Sequence, residues 1–331
     1  MNNKFDELTK SMAQSVTRRA ALKKFGVGLA GMALACFGLA NRLQAADPTF
    51  TTIDYPGESG TLALDINASG QVVGRYIDGA GLHRGFLLSA GVFTPIDVPG
   101  SLYTPPLGIN ASGDIVGECS LTDAGGVKDV RGFLLHNGTF SFIVFPGSAQ
   151  TRAIGINQNG EIAGYYTDQL QGKHHGFLFS GGVYTSIDFP GSDYTEVWKI
   201  NDHGLMAGRY RTTGNEKFHL FLLSGGNFIP LPDFPGAAQM APTSVAGNHS
   251  GLNGNGDVVT TYCDSTPVQN NNFNANMLSN MHGLLLSGGV YSQIDFPGAT
   301  GTLTAGINDL GVIVGAYVDS GGGLHGFLRW P

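Results

Sequence analysis

Histidine and aspartate side chains recur at fixed places in this chain, and they are the groups best suited to acid–base or metal chemistry. A histidine precedes a short apolar stretch at His83, His175, His219, His282 and His325. An aspartate occurs in an Ile-Asp-x-Pro-Gly segment, or a close variant of it, at Asp54, Asp97, Asp188, Asp233 and Asp295. Both residue types are common metal ligands. Because both sets repeat, we interpret the histidines as bonding within one repeat and the aspartates as accepting turn amides. We therefore predict no metal site and no cofactor.

Side chains that do not repeat are better candidates for specificity, because the fold does not require them. They cluster in one stretch of the chain, at Glu196, Trp198, Lys199, Arg209, Arg211 and Lys217. An aromatic ring among mixed charges suits a sugar or peptide ligand. The alternative is that Trp198 packs between repeats and that the charges are solvated. We predict the following ligand-binding residues, with Glu58 as a further candidate: Trp198, Lys199, Glu196, Arg211, Arg84, Asn271 and Phe273.

The elements that position these residues are copies of one repeat. The Ile-Asp-x-Pro-Gly segments end at Gly57, Gly100, Gly147, Gly191, Gly236 and Gly298. An Ile-Asn-x-x-Gly block or variant follows each, with its asparagine at Asn67, Asn110, Asn157, Asn201, Asn253 and Asn308. In five of the six copies the asparagine lies ten residues after the glycine. The Asn side chain can bond the backbone two residues on, and glycine accepts a positive φ, so these blocks predict tight turns.

One copy of the repeat contains four short stretches of strand-forming residues. In the third copy they are residues 151–157, 161–166, 175–180 and 183–189, each bounded by Gly, Pro, Asn or Ser. Four strands in about 45 residues, repeated six times from near residues 50, 93, 140, 184, 228 and 291, predict an all-β six-bladed β-propeller. A β-solenoid is the alternative, although its rungs are usually shorter.

The two ends of the repeat array predict how the propeller closes. A lone fourth strand, residues 50–55, opens the array, and three strands ending at residues 325–330 finish it. If the N-terminal strand pairs with these three strands, it completes a sixth four-stranded blade. That pairing leaves no open sheet edge inside the ring.

Loop lengths distinguish the two faces of the predicted propeller. On one face, which we call the uniform face, lie the Asn-x-x-Gly turns and the short turns between third and fourth strands. The other face, the variable face, carries 17 residues from Gly236 to Asn253 and an Asn-rich segment at 264–281. Insertions confined to one face of a repeat protein often mark its binding face. The alternative is that loop length there drifts without a role.

The sequence of the repeat resembles that of a known family. The repeat contains two motifs, Gly-Ile-Asn-x-x-Gly-x-Ile-Val-Gly and then His-Gly-Phe-Leu. This pair of motifs is similar to the repeat of the HAF-repeat proteins of bacteria, whose second motif is His-Ala-Phe-Leu. Here glycine replaces the alanine, as at Gly176 and Gly326. The resemblance covers residues 50–331. It implies an extracellular or periplasmic location and no assigned activity.

The first residues resemble an export signal. Thr17-Arg18-Arg19-Ala20-Ala21-Leu22-Lys23 is similar to the twin-arginine motif, although Ala21 stands where that motif prefers Phe. An apolar stretch from Phe25 to Ala40 follows, too short to span a bilayer well. We predict a signal peptide at 1–45, cleaved after Ala45, and a propeller at 46–331 in the periplasm or outside the cell. A lipoprotein anchored at Cys36 is the alternative.

Charge excludes two classes of partner. Seven of the 18 basic and two of the 25 acidic residues lie in the first 45, which leaves a net charge of −12 on residues 46–331. Nucleic acids and anionic membranes attract basic surfaces. We therefore expect no nucleic-acid partner and no membrane insertion of the mature chain, which we predict to be monomeric.

The cysteines of residues 46–331 are too far apart to pair in this fold. Cys119 and Cys263 lie on second strands of blades two and five, on opposite sides of a six-membered ring. A disulfide requires Cα atoms within about 7 Å. We expect both thiols to be unpaired and buried, even in an oxidising compartment.

The sequence favours a non-catalytic function. It contains no nucleophile elbow, P-loop, dinucleotide-binding loop or zinc-binding His-Glu-x-x-His helix, and it identifies no catalytic residue. We predict a binding or surface-interaction propeller that recognises an extracellular glycan, a cell-wall polymer or a protein. The alternative is a polysaccharide lyase or hydrolase acting at the mouth of the central channel.

Overall fold

The structure, a computed structural model, describes residues 48–122, 128–215, 217–240, 250–264 and 280–331. Within these ranges the backbone forms 25 strands, which make six antiparallel sheets arranged as the blades of a propeller. The predicted all-β, six-bladed architecture is therefore confirmed. None of the described segments forms a helix of the length and apolar character needed to cross a membrane.

Each blade has four strands, which follow one another from the axis outward. Successive blades are formed by successive stretches of the chain. The first strand, β1 (Phe50–Ile53), belongs to the last blade. Blade one contains β2 (Ser59–Ile66), β3 (Val72–Ile77), β4 (His83–Ser89) and β5 (Val92–Ile96). Blade two contains β6 (Pro106–Ile109), β7 (Ile115–Thr122), β8 (Lys128–His136) and β9 (Thr139–Ile143). Blade three contains β10 (Ser148–Ile156), β11 (Ile162–Asp168), β12 (His174–Ser180) and β13 (Val183–Ile187).

The second half of the ring repeats this order. Blade four contains β14 (Ser192–Ile200), β15 (Met206–Thr212), β16 (His219–Ser224) and β17 (Asn227–Pro230). Blade five has its inner strand in two pieces, β18 (Gln239–Met240) and β19 (Gly251–Leu252), followed by β20 (Val258–Cys263), β21 (Met281–Ser287) and β22 (Val290–Ile294). Blade six contains β23 (Gly301–Ile307), β24 (Ile313–Val318), β25 (Leu324–Arg329) and, as its outer strand, β1.

The N-terminal strand closes the ring as the sequence predicts. β1 runs antiparallel to β25, with Thr52 opposite Phe327 and Ile53 opposite Gly326. The amide of Trp330 extends this ladder by donating to the carbonyl of Thr49 at 2.9 Å. The pairing leaves neither strand with an open edge inside the last blade.

Five of the six inner strands contain a bulge that turns one side chain toward the axis. The register slips by one residue in five inner strands, which leaves Leu64, Leu107, Ile154, Trp198 and Ala305 without a partner on the neighbouring strand. A bulge of this kind re-aims the side chain it carries. Leu64, Leu107, Ile154 and Trp198 come from four successive blades and meet in one hydrophobic cluster. The centre of the propeller is therefore filled with apolar side chains.

Stacked aromatic rings join neighbouring blades. The aromatic residue of the Ile-Asp-x-Pro-Gly segment lies on a tyrosine of the next blade's second strand, with ring centroids 3.6 to 3.7 Å apart in four pairs: Tyr55–Tyr76, Phe145–Tyr166, Phe189–Tyr210 and Phe296–Tyr317. Between blades one and two, Val98 and Cys119 take these two places and pack in one cluster. Two small side chains thus replace two aromatic ones at this junction, and both are buried there.

Both cysteines of the propeller are buried and form no disulfide, as predicted. Cys119 lies on β7 and Cys263 on β20, three blades apart. Burial raises the pKa of each thiol to about 11. Both groups are therefore protonated near neutral pH, which makes them poor nucleophiles.

Candidate functional site

Six asparagines form a closed ring of hydrogen bonds on the uniform face. The side-chain oxygen of Asn201 accepts the amides of His203 and Leu205 at 3.0 Å each, which confirms the predicted turn role. Its side-chain nitrogen donates to the carbonyl of Asn253 in the next blade at 3.0 Å. The same interblade bond, at 3.0 to 3.3 Å, joins all six repeats in order: Asn67, Asn110, Asn157, Asn201, Asn253, Asn308 and back to Asn67.

Sequence reasoning did not foresee this interblade ring. The signal for it is the presence of asparagine, never aspartate, in all six turns. An aspartate accepts the same two turn amides, but it has no NH₂ group to donate. The exclusive use of asparagine therefore indicates a second bond made by the amide nitrogen.

A depression lies inside the asparagine ring, where the propeller axis meets the uniform face. It holds about 620 Å³ of empty space, including the part open to solvent, and Asp65 and Lys199 are among its lining residues. The Lys199 Nζ atom lies 2.8 Å from Asp65 Oδ2 and donates to the carbonyl oxygen of Leu107 at 2.8 Å. Asp65 is in blade one and Lys199 in blade four, so this ion pair crosses the axis between opposite blades.

Glycine takes the place of these two charged residues in the other four blades, at Gly108, Gly155, Gly251 and Gly306. A Cβ atom on Gly155 would lie 2.7 Å from the carbonyl oxygen of Trp198, and one on Gly306 would lie 2.8 Å from the Cα of Asp65. Glycine therefore lets the inner strands of adjacent blades approach closely. Lys199, which we predicted as a ligand-binding residue beside Trp198, belongs to this uniform-face depression.

Five charged residues of alternating sign lie on the first and second strands of their blades, farther from the uniform face. We call this set the charged arc: Arg75, Glu118, Arg152, Glu196 and Arg209, in blades one to four. Four of them are at least nine-tenths buried, and Arg152 is partly buried. At the second-strand position of Arg75, Glu118 and Arg209, blades three, five and six carry Tyr165, Thr261 and Ala316 instead.

Glu196 is the most heavily bonded member of the charged arc. It is 1% exposed, and its Oε2 atom accepts from Trp198 Nε1 at 2.9 Å and from Arg209 Nε at 2.8 Å. Its Oε1 atom accepts from Tyr194 at 2.6 Å and from His174 Nδ1 at 2.9 Å. Burial opposes ionisation of this carboxyl, but Arg209 and His174 outweigh burial and hold its pKa well below the usual range. Glu196 is therefore ionised at neutral pH.

The rest of the charged arc links four blades through side-chain pairs. Arg152 Nε donates to Glu118 Oε2, and its guanidinium lies 5.3 Å from the ring centroid of Tyr165. Arg75 contacts His83, and burial together with this cation lowers the pKa of His83 to about 4. His83 is therefore neutral at physiological pH, and the positive charge there belongs to Arg75.

A half-buried layer covers the charged arc toward the variable face. His174 begins β12 and stacks on Tyr194, with ring centroids 4.3 Å apart. The Arg211 guanidinium lies 5.3 Å from the centroid of Tyr194, and its Nε atom lies 3.5 Å from Asp193 Oδ1. His174, Tyr194 and Arg211 are all partly exposed. The layer offers solvent both aromatic edges and planar hydrogen-bond donors.

The structure separates the predicted ligand-binding residues. Glu196 and Arg211 belong to the charged arc and its covering layer. Trp198 is fully buried, as in the packing alternative, and its indole faces the core while Nε1 bonds Glu196. Asn271 and Phe273 lie outside the described residues, and Glu58 is exposed. For none of these residues does the structure test ligand binding, which stays a prediction.

Arg84 occupies, in blade one, the position that His175 occupies in blade three. This corrects our alignment of the histidines. The strand register places Arg84 opposite Tyr76, as His175 is placed opposite Tyr166. His83 therefore corresponds to His174, not to His175. Arg84 Nε donates to Asp78 at 3.0 Å, and its guanidinium lies 3.6 Å from Asp97.

The repeated aspartates pair with the repeated histidines, a second correction to our interpretation. His325 Nδ1 lies 2.8 Å from Asp54, and the same contact, at 2.7 to 3.1 Å, joins three further pairs: His175–Asp188, His219–Asp233 and His282–Asp295. The carboxylates thus accept from imidazoles across the two outer strands rather than from turn amides. The prediction that the histidines bond within their own blades is confirmed. No group of three or more His, Cys, Asp or Glu side chains suited to a metal occurs in the described ranges.

Sequence reasoning missed Arg75, Glu118 and Arg152 as members of the charged arc. Arg75, Glu118 and Arg209 each directly follow a repeated glycine of the second strand, in Val-Gly-Arg, Val-Gly-Glu and Ala-Gly-Arg. The sequence signal for these arc residues was a charged residue within an apolar strand, because a strand residue this close to the axis is buried.

Comparisons with known proteins show the fold. No protein-family model matches the chain, and no curated protein sequence matches it. A structure provisionally assigned as TolB from Agrobacterium tumefaciens is 13% identical, with a TM-score of 0.52 over 82% of this chain and 91% of that one. AofleA from Arthrobotrys oligospora is 12% identical, with a TM-score of 0.50 over 85% and 86% of the two chains.

A third similar structure is more distant. The lectin of Aleuria aurantia in complex with Fucα1-6GlcNAc is 14% identical, with a TM-score of 0.46 over 82% of this chain and 91% of that one. At this level of identity the first two similarities indicate a shared propeller architecture, and none of the three carries information about a ligand of this chain.

Proposed function

We propose that this chain is a binding propeller and that a glycan contacts, from the variable face, the half-buried layer that covers the charged arc. The observation that supports this proposal is the set of five alternating charges in blades one to four, of which four are buried and Arg152 is partly buried. Desolvating each ion costs several kcal/mol even when it is paired. Blades five and six have Thr261 and Ala316 at the second-strand position, and blade six has Leu303 at the inner-strand position of Arg152 and Glu196, so a blade does not need these charges. Perturbed, buried charges that the fold does not require indicate a functional site.

The covering layer suits sugar hydroxyls. Arg211, His174 and Tyr194 present planar donors and ring edges, which are the groups that orient a polar ligand. Glu196 holds His174 and Tyr194 through hydrogen bonds of 2.9 and 2.6 Å. The layer is therefore organised before a ligand arrives, which lowers the entropy lost on binding.

The charge states of the site favour binding over catalysis. A hydrolase needs a carboxylic acid of raised pKa to protonate the leaving group, whereas Arg209 and His174 lower the pKa of Glu196. A lyase that removes a proton with tyrosine needs a lowered phenol pKa. Tyr103 lies beside Arg75 and Glu118 of the charged arc, and burial raises its pKa to about 12. These two groups are therefore poorly suited to the alternative of a polysaccharide lyase or hydrolase.

The sequence at 1–45 supports an extracellular setting for this ligand. We infer that Arg18 and Arg19 direct twin-arginine export and that residues 46–331 fold before they leave the cytoplasm. Replacing both arginines with lysine should retain the chain in the cytoplasm of a bacterial host. Normal export of that variant would contradict the inference.

A glycan array probed with residues 46–331 tests the proposed function. The change Arg211→Gln should weaken binding of the glycan that the array identifies by about tenfold or more. Arg131→Gln is the matched control, because Arg131 pairs with Asp129 at 2.5 Å and lies 5.2 Å from the ring of Phe142, away from the arc. Equal affinity of the Arg211 variant and the control, or an array with no bound glycan, would overturn the proposal. If the chain bound a protein and no glycan, it would be a protein-binding propeller and not a glycan-binding one.

A further inference from the structure

The floor of the uniform-face depression carries a donor and an acceptor side by side. An ammonium group has three N–H donors. Lys199 Nζ uses two of them, toward Asp65 Oδ2 and the Leu107 carbonyl oxygen, each at 2.8 Å. Asp65 Oδ2 also accepts the amide of Ile109 at 3.1 Å. Among the described residues, nothing donates a hydrogen bond to Asp65 Oδ1. One N–H of Lys199 and one oxygen of Asp65 are therefore left for a further partner.

The blade fold does not explain this ion pair. Glycine occupies the equivalent place in four blades, where it allows close contact between neighbouring inner strands. The two exceptions lie in opposite blades and meet on the axis. Lys199 is 4% exposed and Asp65 is 9% exposed, so both charges are largely desolvated. An ion pair at this depth gives little net stability, because desolvation offsets the attraction between the charges.

The charges around the depression favour a neutral ligand. Asp202 and Asp309 lie among its lining residues and add to the carboxylate of Asp65. An anion is repelled by these three carboxylates, and a cation is repelled by the ammonium of Lys199. A pair of adjacent hydroxyl groups fits both charges, because one oxygen accepts from Lys199 and the other hydroxyl donates to Asp65.

The shape of the depression agrees with a small polar molecule. It is open to solvent on the uniform face, and its empty space of about 620 Å³ includes that open part. Ala68 and Ala111 are among the lining residues, and short side chains there leave the entrance open. Gln158 and the asparagine turns supply further polar groups around the entrance.

We propose that the uniform-face depression binds one neutral sugar ring or a similar polyol through adjacent hydroxyl groups. The Lys199 Nζ atom donates to one hydroxyl oxygen, and the Asp65 carboxylate accepts from the other hydroxyl. This site lies on the face opposite the charged arc, and the proposal does not depend on the function proposed for that arc.

The test is saturation-transfer NMR of residues 46–331 with D-glucose, D-galactose, D-mannose, L-fucose and D-glucuronate. We expect transfer to at least one of the four neutral sugars and none to glucuronate. The double variant Asp65→Gly with Lys199→Gly carries at both places the residue found in four other blades. It should keep its fold and lose affinity at least tenfold.

Two further variants make the result unambiguous. Asp65→Asn keeps the shape of the side chain, removes its charge and serves if the double variant does not fold; it should also lose affinity. Arg131→Gln should leave affinity unchanged, since Arg131 pairs with Asp129 and lies outside both the depression and the charged arc. Absence of transfer to every neutral sugar, unchanged affinity in the folded Asp65 variants, or transfer to glucuronate would each overturn the proposal. Loss of affinity in the Arg211→Gln variant alone would assign the sugar to the layer over the charged arc instead.

Discussion

His325 Nδ1 lies 2.8 Å from Asp54 Oδ1, although 271 residues separate the two in the chain. His325 is in β25 and Asp54 directly follows β1, so the contact joins the third and outer strands of blade six. Its other ring nitrogen lies 3.3 Å from Asp319. The imidazole is therefore held between two carboxylates at the place where the ring closes.

We expect this contact to make stability depend on pH. Burial lowers the pKa of His325, but Asp54 and Asp319 outweigh burial, and the net pKa lies above its usual value of 6.5. A raised pKa in the folded state adds stability that is fully present below pH about 6.5 and is lost as pH rises through the folded value. His325→Gln should therefore lower the melting temperature more at about pH 5.5 than at about pH 8.5. An equal loss at both values would contradict the assigned pairing.

Removal of residues 48–55 should destabilise the whole ring. The truncation exposes the edge of β25, removes buried Ile53 and breaks the stack of Tyr55 on Tyr76. Burial of one isoleucine contributes about 1.5–3 kcal/mol, so the melting temperature should fall by at least about 5 °C. As a control, the same residues joined after Pro331 by a flexible linker should restore most of the loss. A truncated chain that melts within about 2 °C of the intact one would contradict strand closure.

The interblade bond of Asn201 should contribute to stability separately from its turn. Asn201→Asp keeps an oxygen for the amides of His203 and Leu205 and removes the donor to Asn253. We expect a loss of roughly 1–3 kcal/mol in the free energy of unfolding, measured with urea. Asn227→Asp, at the exposed start of β17 outside the ring, is the matched control; it loses only a 3.3 Å hydrogen bond to the carbonyl oxygen of Gly225 and should change stability little. If both variants unfold at the same urea concentration, the ring bond has no energetic role.

Both thiols should react only after unfolding. Cys119 and Cys263 are buried, and burial raises the pKa of each to about 11. Alkylation without a reductant should leave the folded protein unmodified, and mass spectrometry should find both cysteines modified in denaturant. Detection of a bond between the two would contradict their placement three blades apart. Rapid labelling of the folded protein would show that one of them is accessible.

The sequence by itself determined the architecture, because the signals for it are local and periodic. Asn-x-x-Gly and Pro-Gly turns act through neighbouring backbone atoms, and four strands per copy in six copies require a ring of six blades. The unpaired strands at the two ends identify the closing pair for the same reason, since each lacks a partner in its own copy.

The tertiary structure alone decided which side chains meet at the axis. Arg75, Glu118, Arg152 and Glu196 come from four blades, and their contacts depend on the diameter of the ring and the bulge in each inner strand. Trp198 is a site candidate in the sequence and a core residue in the fold, because that bulge turns it into the apolar centre. Lys199, its neighbour in the chain, reaches the opposite blade and pairs with Asp65. Repeat spacing contains no information on such distances, since each copy specifies its own blade and only packing of the blades sets the space between them.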